Sequence, residues 1–453
     1  MYKKGLKRWC ICCLLAIVAF SASAYAQNGI NSPYSQYGIG LNNMPYNMPA
    51  FASLGGVAYS RSASNMVNPF NPASYASIGM ESFVFDMGLN IETSKLYNNN
   101  ESQFDADGNL GYLAFGFPLT KWWKTAIAVM PMSDVDYQST YTTVQPPAGE
   151  VKTLYDGTGA VTQFMWGHAF NILGNNNATK TQMRAGFNVN YLYGNISRAI
   201  SNEFSGNDTT YFMNSRRQKE TYLKNVTFDL GLQFDQPLGE NHRLSAGFVI
   251  KPPRKMTVKD NALVYTFVTN AATEYMRDTI FPADGNDSEY ESTLEQPFTT
   301  GIGLSFQRND RWLIALDATF SPWNGLKYTE NSSVAIFGQS PMRYDNTYKL
   351  AIGMQLLGDK NAAKYFRRIT FSAGAHYENG RLNLQLVDNS QYRLDEWGCG
   401  IGMSLPMRKG RSVLNLSLSY SSFGTADLLR RDALQFGIAI GSCESWFVKR
   451  KFN

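Results

Sequence analysis

Ser412-Val413-Leu414-Asn415-Leu416-Ser417-Leu418-Ser419-Tyr420-Ser421-Ser422-Phe423 alternates with a period of two. Leu414, Leu416, Leu418 and Tyr420 fall on one face, and Asn415, Ser417, Ser419 and Ser421 on the other, which is the pattern of a strand between an apolar and a polar medium. The same pattern recurs fourteen times, over about 82–95, 109–119, 122–133, 159–173, 182–198, 221–236, 242–255, 296–308, 311–321, 345–358, 366–378, 391–405, 411–422 and 431–442. The second to fourth segments alternate least cleanly. Links after even-numbered segments are short, and most of those after odd-numbered segments are long, with 133–158, 199–220, 256–295 and 321–345 the longest. Strands with lipid outside and a polar lumen inside, tight turns on one rim and long loops on the other, define a transmembrane antiparallel β-barrel. Ala262–Val268 and Leu382–Val387 also look strand-like. They read as hairpin extensions of outer loops, and two further crossings would make the barrel sixteen-stranded.

The chain opens with Lys3, Lys4, Lys7 and Arg8, an apolar run from Trp9 to Phe20, and Ala24-Tyr25-Ala26. This is a signal peptide over 1–26, with export to the outer membrane as the consequence. Four of the 41 Lys and Arg lie in the leader and none of the 36 Asp and Glu, so the net charge falls from +5 to +1. That balance gives no footing for nucleic acid. No later stretch reaches the roughly 18 successive apolar residues of a membrane helix. Tyr and Phe, 26 and 28 in number, suit interfacial girdles, with Trp122, Trp123 and Trp312 at one rim and Trp323 and Tyr420 at the other. Cys399 lies on an apolar face and Cys443 past a strand end, a placement that gives no reason to pair them.

Residues 27–79 have no sustained period. Tyr34, Tyr37, Ile39, Leu41, Met44, Tyr46, Met48 and Phe51 are too apolar for a solvated tail. The expected organisation is therefore a lumen plug over 27–79 and a barrel over 80–453. Lumen-parity glycines, Gly301, Gly303, Gly398, Gly400 and Gly402, would let something bulky approach the wall. Pro131, within Ala126-Ile-Ala-Val-Met-Pro-Met132, lacks a ladder donor and belongs at a bulge or an edge. It marks either an opening in the wall or a fraying strand end.

Leu54-Gly55-Gly56-Val57-Ala58-Tyr59, a Ser/Ala/Asn-rich spacer, and Asn71-Pro72-Ala73 shortly before the first strand resemble the FadL/TodX family of outer-membrane hydrophobic-compound transporters. Asn31–Gly38 and Trp446–Phe452 resemble a divergent branch of such barrels. The resemblance implies an N-terminal hatch and passage of an apolar small molecule through a kink in the third strand into the membrane. It assigns gating or substrate contact to Gly55, Gly56, Met44, Tyr46, Met48, Phe51, Asn71, Pro72, Ala73 and Pro131. No basic pair for a carboxylate headgroup is evident.

His168, His242 and His376 have no Cys, Asp or Glu at metal-ligand spacing, and no nucleophile–base–orienter set is visible. The expectation is no enzyme, no cofactor and no metal. The leading function is passive uptake of hydrophobic small molecules. The alternative is a barrel scaffold or shuttle that binds secreted or surface proteins. Outer-membrane lipid, lipopolysaccharide and the barrel-assembly machinery are the expected partners.

Overall fold

The computed structural model describes residues 32–445, apart from 43, 45, 100, 175–178, 206–211, 271–272, 282–288, 309–310, 327, 330, 332–341, 360, 386–389 and 408–411. The leader and the closing Trp446–Phe452 stretch lie outside the described residues. Fourteen strands close into an antiparallel barrel. They are β1 (Ser82–Tyr97), β2 (Ser102–Pro118), β3 (Trp123–Gln145), β4 (Gly149–Leu173), β5 (Gln182–Ser205), β6 (Asn214–Leu238) and β7 (His242–Lys251), followed by β8 (Thr299–Arg308), β9 (Trp312–Ser321), β10 (Thr347–Leu356), β11 (Thr370–Glu378), β12 (Glu396–Pro406), β13 (Ser412–Thr425) and β14 (Leu429–Ser445). Neighbours in the chain pair around the ring, and β14 closes onto β1 from Ser82↔Ser445 to Tyr97↔Arg430. Among the described residues no helix is long and apolar enough to span a membrane; the crossing is made by strands, whose backbone groups pair with their neighbours along most of the wall.

The two faces follow the alternation. On β10, Ile352 is 50% exposed and Gln355 only 7%. Leu350 and Met354 share the outward face, and Ala351 the inward one. On β13, Ser417 is buried and Leu418 exposed. Trp122 stacks on Phe170 at the short-turn rim, and Trp397 packs on Tyr420 near the other. Trp323 is a correction. Its ring faces Tyr344 at 5.8 Å and the Arg381 guanidinium at 5.2 Å, inside the mouth rather than in a girdle. An indole beside a buried cation is stabilised by the quadrupole of the ring as well as by lipid contact, and sequence position does not separate the two.

The long links are a second correction. β3 runs to Gln145 and β4 begins at Gly149, so the expected loop over 133–158 is a tall hairpin. β5 and β6 likewise extend to Ser205 and from Asn214. Above the membrane both sheet faces meet water, so a segment such as Ser139-Thr-Tyr-Thr-Thr143 pairs its backbone without alternating in polarity. The two doubtful segments stay outside the barrel. Ala262–Val268 lies in Arg254–Asn270, which pairs with β6 and with Thr273–Phe281. Leu382–Gln385 joins a separate three-stranded sheet with Met342–Tyr344 and Gln391–Arg393.

The segment before β1 fills the lumen. Its first described residues lie at the long-hairpin mouth, where the Tyr34 hydroxyl donates to the Leu429 carbonyl at 2.8 Å and the Tyr34 ring meets Phe423 edge-on. It ends at the short-turn rim, where Lys124 Nζ donates to the Ala76 carbonyl. Between these points Met48, Phe51, Tyr75 and Ile78 pack with wall residues Tyr112, Ala126, Ala128 and Met165 in one buried cluster. The lumen glycines are where this packing is closest. A Cβ on Gly301 would overlap the Tyr59 ring, and one on Gly400 the Ala52 carbonyl.

Candidate functional site

The lumen segment is seated by hydrogen bonds as well as by packing. Gly55 and Gly56 have φ of 65° and 87°, a left-handed turn that glycine adopts without penalty. The turn lays Gly55 against the Ala375 backbone of β11. Beyond it, Asp317 on β9 accepts from the amides of Ala58 (2.6 Å) and Tyr59 (2.9 Å). Asn71 accepts from the Ala73 amide and donates to the carbonyls of Tyr59 (2.7 Å) and Leu232 (3.2 Å). It thereby caps the short turn Pro72–Ser77 and ties it to β6. Tyr75 donates to Asn188 on β5 at 3.0 Å. Arg61 donates to Gln355 at 2.7 Å, and burial lowers its pKa to about 10. At the mouth, burial pushes the Tyr34 phenol up to about 12, so it remains a donor across neutral pH.

Between this segment and the mouth lies a cavity of about 240 Å³. Met44, Tyr46 and Gly56 line it; Met48 and Phe51 sit in the buried cluster beneath instead. Gly55 and Asn71–Ala73 serve the seat on β11 and on β5–β6. The cavity wall carries charges that the sequence reading did not single out. Lys349 and Glu378, register partners on β10 and β11, stand 3.7 Å apart. Lys349 Nζ also lies 4.3 Å from the Tyr46 ring centre, and Tyr46 stacks on His376 at 4.4 Å. Glu396 is 3.5 Å from His376 Nε2. Arg381 donates to the Gly40 carbonyl at 2.8 Å. Lys251, Lys349 and Arg381 thus put three basic groups on one cavity, opposed there by Asp229, Asp317, Glu378 and Glu396. Lumen parity was the available signal for all of them except Arg381, which lies in a loop, but parity alone does not say which lumen residues converge.

Among the described residues the wall is interrupted at two seams. The β2–β3 ladder runs from Pro118↔Lys124 to Leu113↔Val129 and stops two residues short of Pro131. Pro131 itself opens a bulge against β4, after which the inward parity of β3 changes from even to odd numbers. That change explains the poor alternation of this strand. The lumen segment covers this seam: Leu41 and Asn42 pair with Asp134 and Ser133, and the Ser32 amide donates to the Asp136 carbonyl at 2.8 Å. The other seam separates β6 from β7, where pairing stops at Leu230↔Ile250 and resumes at Leu223↔Val258. Pro252 and Pro253 lie in that interval.

A closed fourteen-stranded barrel with an N-terminal segment in its lumen is the fold of the FadL-type outer-membrane channels. A Pseudomonas aeruginosa FadL homologue superimposes with a TM-score of 0.54 at 14% identity, over 88% of this chain and 98% of that one. The Ralstonia pickettii toluene transporter TbuX gives 0.52 at 12%, over 87% and 97%. The Pseudomonas putida toluene transporter TodX gives 0.51 at 14%, over 88% and 98%. Within this fold, the chain belongs to the BamG family, whose sequence model matches residues 6–453. A comparison with curated proteins gives no match.

Proposed function

We propose that the protein lets small hydrophobic molecules cross the outer membrane passively, with the lumen segment acting as a hatch. The observation that carries this reading is the 240 Å³ cavity above the packed segment, lined by Met44, Phe70 and Leu192 as well as by charged groups and reached by seams in the wall. A cavity of about 150 Å³ holds a benzene ring, so single-ring molecules fit. Because the hatch seats on lumen glycines around the ring, passage runs sideways through the wall. Pro131 supports the β2–β3 seam as exit, with Gly55, Gly56 and Asn71–Ala73 holding the hatch in place. The solved relatives described as toluene transporters share the fold, which agrees with the reading. The test is uptake of labelled toluene by cells lacking their own channels. The protein should accelerate uptake, Ala351→Phe should abolish the gain by filling the cavity, and Pro131→Val should reduce it. Equal uptake with and without the assembled protein would remove the reading.

A second reading has its own support. The family name, BamG, points to barrel assembly, and the tall hairpins expose Phe104, Tyr141 and Val144 beyond the membrane. On this reading the barrel is an accessory that binds partner proteins. Mild-detergent purification from native membranes followed by mass spectrometry decides it: barrel-assembly components in fixed ratio support an accessory, and their absence counts against one.

A further inference from the structure

We propose that the β6–β7 seam is a second side opening, at the height of the outer leaflet, through which a small amphiphile (one ring or short chain with a polar end) reaches the cavity. The argument starts from the backbone. Lys224–Asp229 of β6 have no ladder partner among the described residues on this side, while their other edge stays paired with β5 throughout. Across the seam, Pro252 and Pro253 have no N–H to offer. One side-chain bond spans the interval, from Asn225 Nδ2 to the Thr257 carbonyl at 2.9 Å. Unpaired backbone is not tolerated against lipid, but it is where it borders a water-filled cavity.

The cavity does reach this seam. Thr227 and Asp229, inward on β6, line it together with Lys251. So do Phe228 and Pro252, which have outward parity, and Phe228 is 44% exposed. In an intact wall, outward side chains do not border the lumen. The height follows from β5, where exposed Tyr191 and Tyr193 stack beside this part of β6, as interfacial rings do. The seam therefore offers an apolar lip at Phe228 and Pro252, and polar groups at Thr227, Asp229 and Lys251 behind it. That order suits a molecule with one apolar and one polar end.

The test reads access to the cavity rather than uptake, so its failure leaves the uptake reading to its own assay. Full-length protein with all five native cysteines (Cys10, Cys12, Cys13, Cys399 and Cys443) replaced by Ser, and with Ala351→Cys, is placed in lipid vesicles, and N-phenylmaleimide is added through the bilayer. Pro252→Thr with Pro253→Thr restores two donors to the ladder, and should slow labelling several-fold. Phe228→Ala widens the lip and should speed it. Assembly is checked by heat-modifiable gel migration, and where the double variant does not assemble, Phe228→Ala decides alone. An unchanged rate in Phe228→Ala overturns the proposal.

Discussion

The two seams are the same defect handled in opposite ways. Each has proline at or beside an interval where neighbouring strands stop pairing. At β2–β3 the lumen segment supplies the missing strand, with Leu41 and Asn42 paired to Asp134 and Ser133. At β6–β7 no part of the described lumen segment pairs with either lip, and the cavity reaches between them. A break in a ladder is thus not in itself an opening. Whether it opens depends on what occupies the freed backbone groups, because those groups must find a partner or water.

The contrast has meaning only if the rest of the wall is continuous, and the largest expected effect tests that. Ile352 faces outward at mid-strand and Gln355 inward. An outward Arg near the bilayer midplane costs about 2–4 kcal/mol, whereas an inward one meets polar surroundings. Ile352→Arg should therefore reduce the assembled fraction in a urea titration far more than Asn415→Arg, an inward change on β13 that leaves the Arg61–Gln355 bond intact. Equal losses would dissolve the register on which both seams are defined.

The next effect tests the seating that lets the lumen segment reach β2–β3. A Cβ on Gly374 would overlap the Leu54 carbonyl and the Gly55 amide. Gly374→Leu should unseat this turn at an overpacking cost of about 1–3 kcal/mol. Limited proteolysis should then cut the segment while the barrel itself stays folded. Continued protection would mean that the bonds from Asp317, Asn71 and Tyr75 hold the segment without this turn.

Much of this architecture is legible in the sequence, and the exceptions have physical causes. The fourteen crossings are readable because lipid and water impose opposite demands on alternate residues. Nothing imposes that contrast above the membrane, so the tall β3–β4 hairpin looks like a loop. At β3 the bulge after Pro131 shifts parity in mid-strand and blurs the pattern. Pro252-Pro253 was as visible as Pro131, but it lies at the end of an expected strand, where proline attracts no notice. The apolar residues of the lumen segment announce a plug, yet their division between cavity (Met44, Tyr46) and buried cluster (Met48, Phe51) depends on a three-dimensional path. The same holds for Lys349, Glu378, Arg381 and Glu396, which come from β10, β11, β12 and one loop and share no local motif.

The smallest effect bears on the covered seam directly. Tyr34 anchors the arm that leads to Leu41 and Asn42, through its bond to the Leu429 carbonyl and its contact with Phe423. Tyr34→Phe keeps the ring contact and removes only the donor, a loss of about 0.5–1.5 kcal/mol for a net hydrogen bond. With the phenol pushed up to about 12 by burial, the hydroxyl is protonated below that value, so the difference between the two proteins should be constant from pH 6 to pH 9. Above pH 10, the ordinary phenol value, the detached arm ionises before the seated one, so the difference should shrink from there and be gone by about 12. Hydrogen exchange at the Asp134 and Asp136 amides reports whether the arm stays on β3. Faster exchange at these two positions in Tyr34→Phe, with Lys224–Asp229 unchanged, would show that the arm covers one seam and leaves the other alone. Faster exchange at both would mean that the two seams are one flexible ring, and the contrast between them would fall.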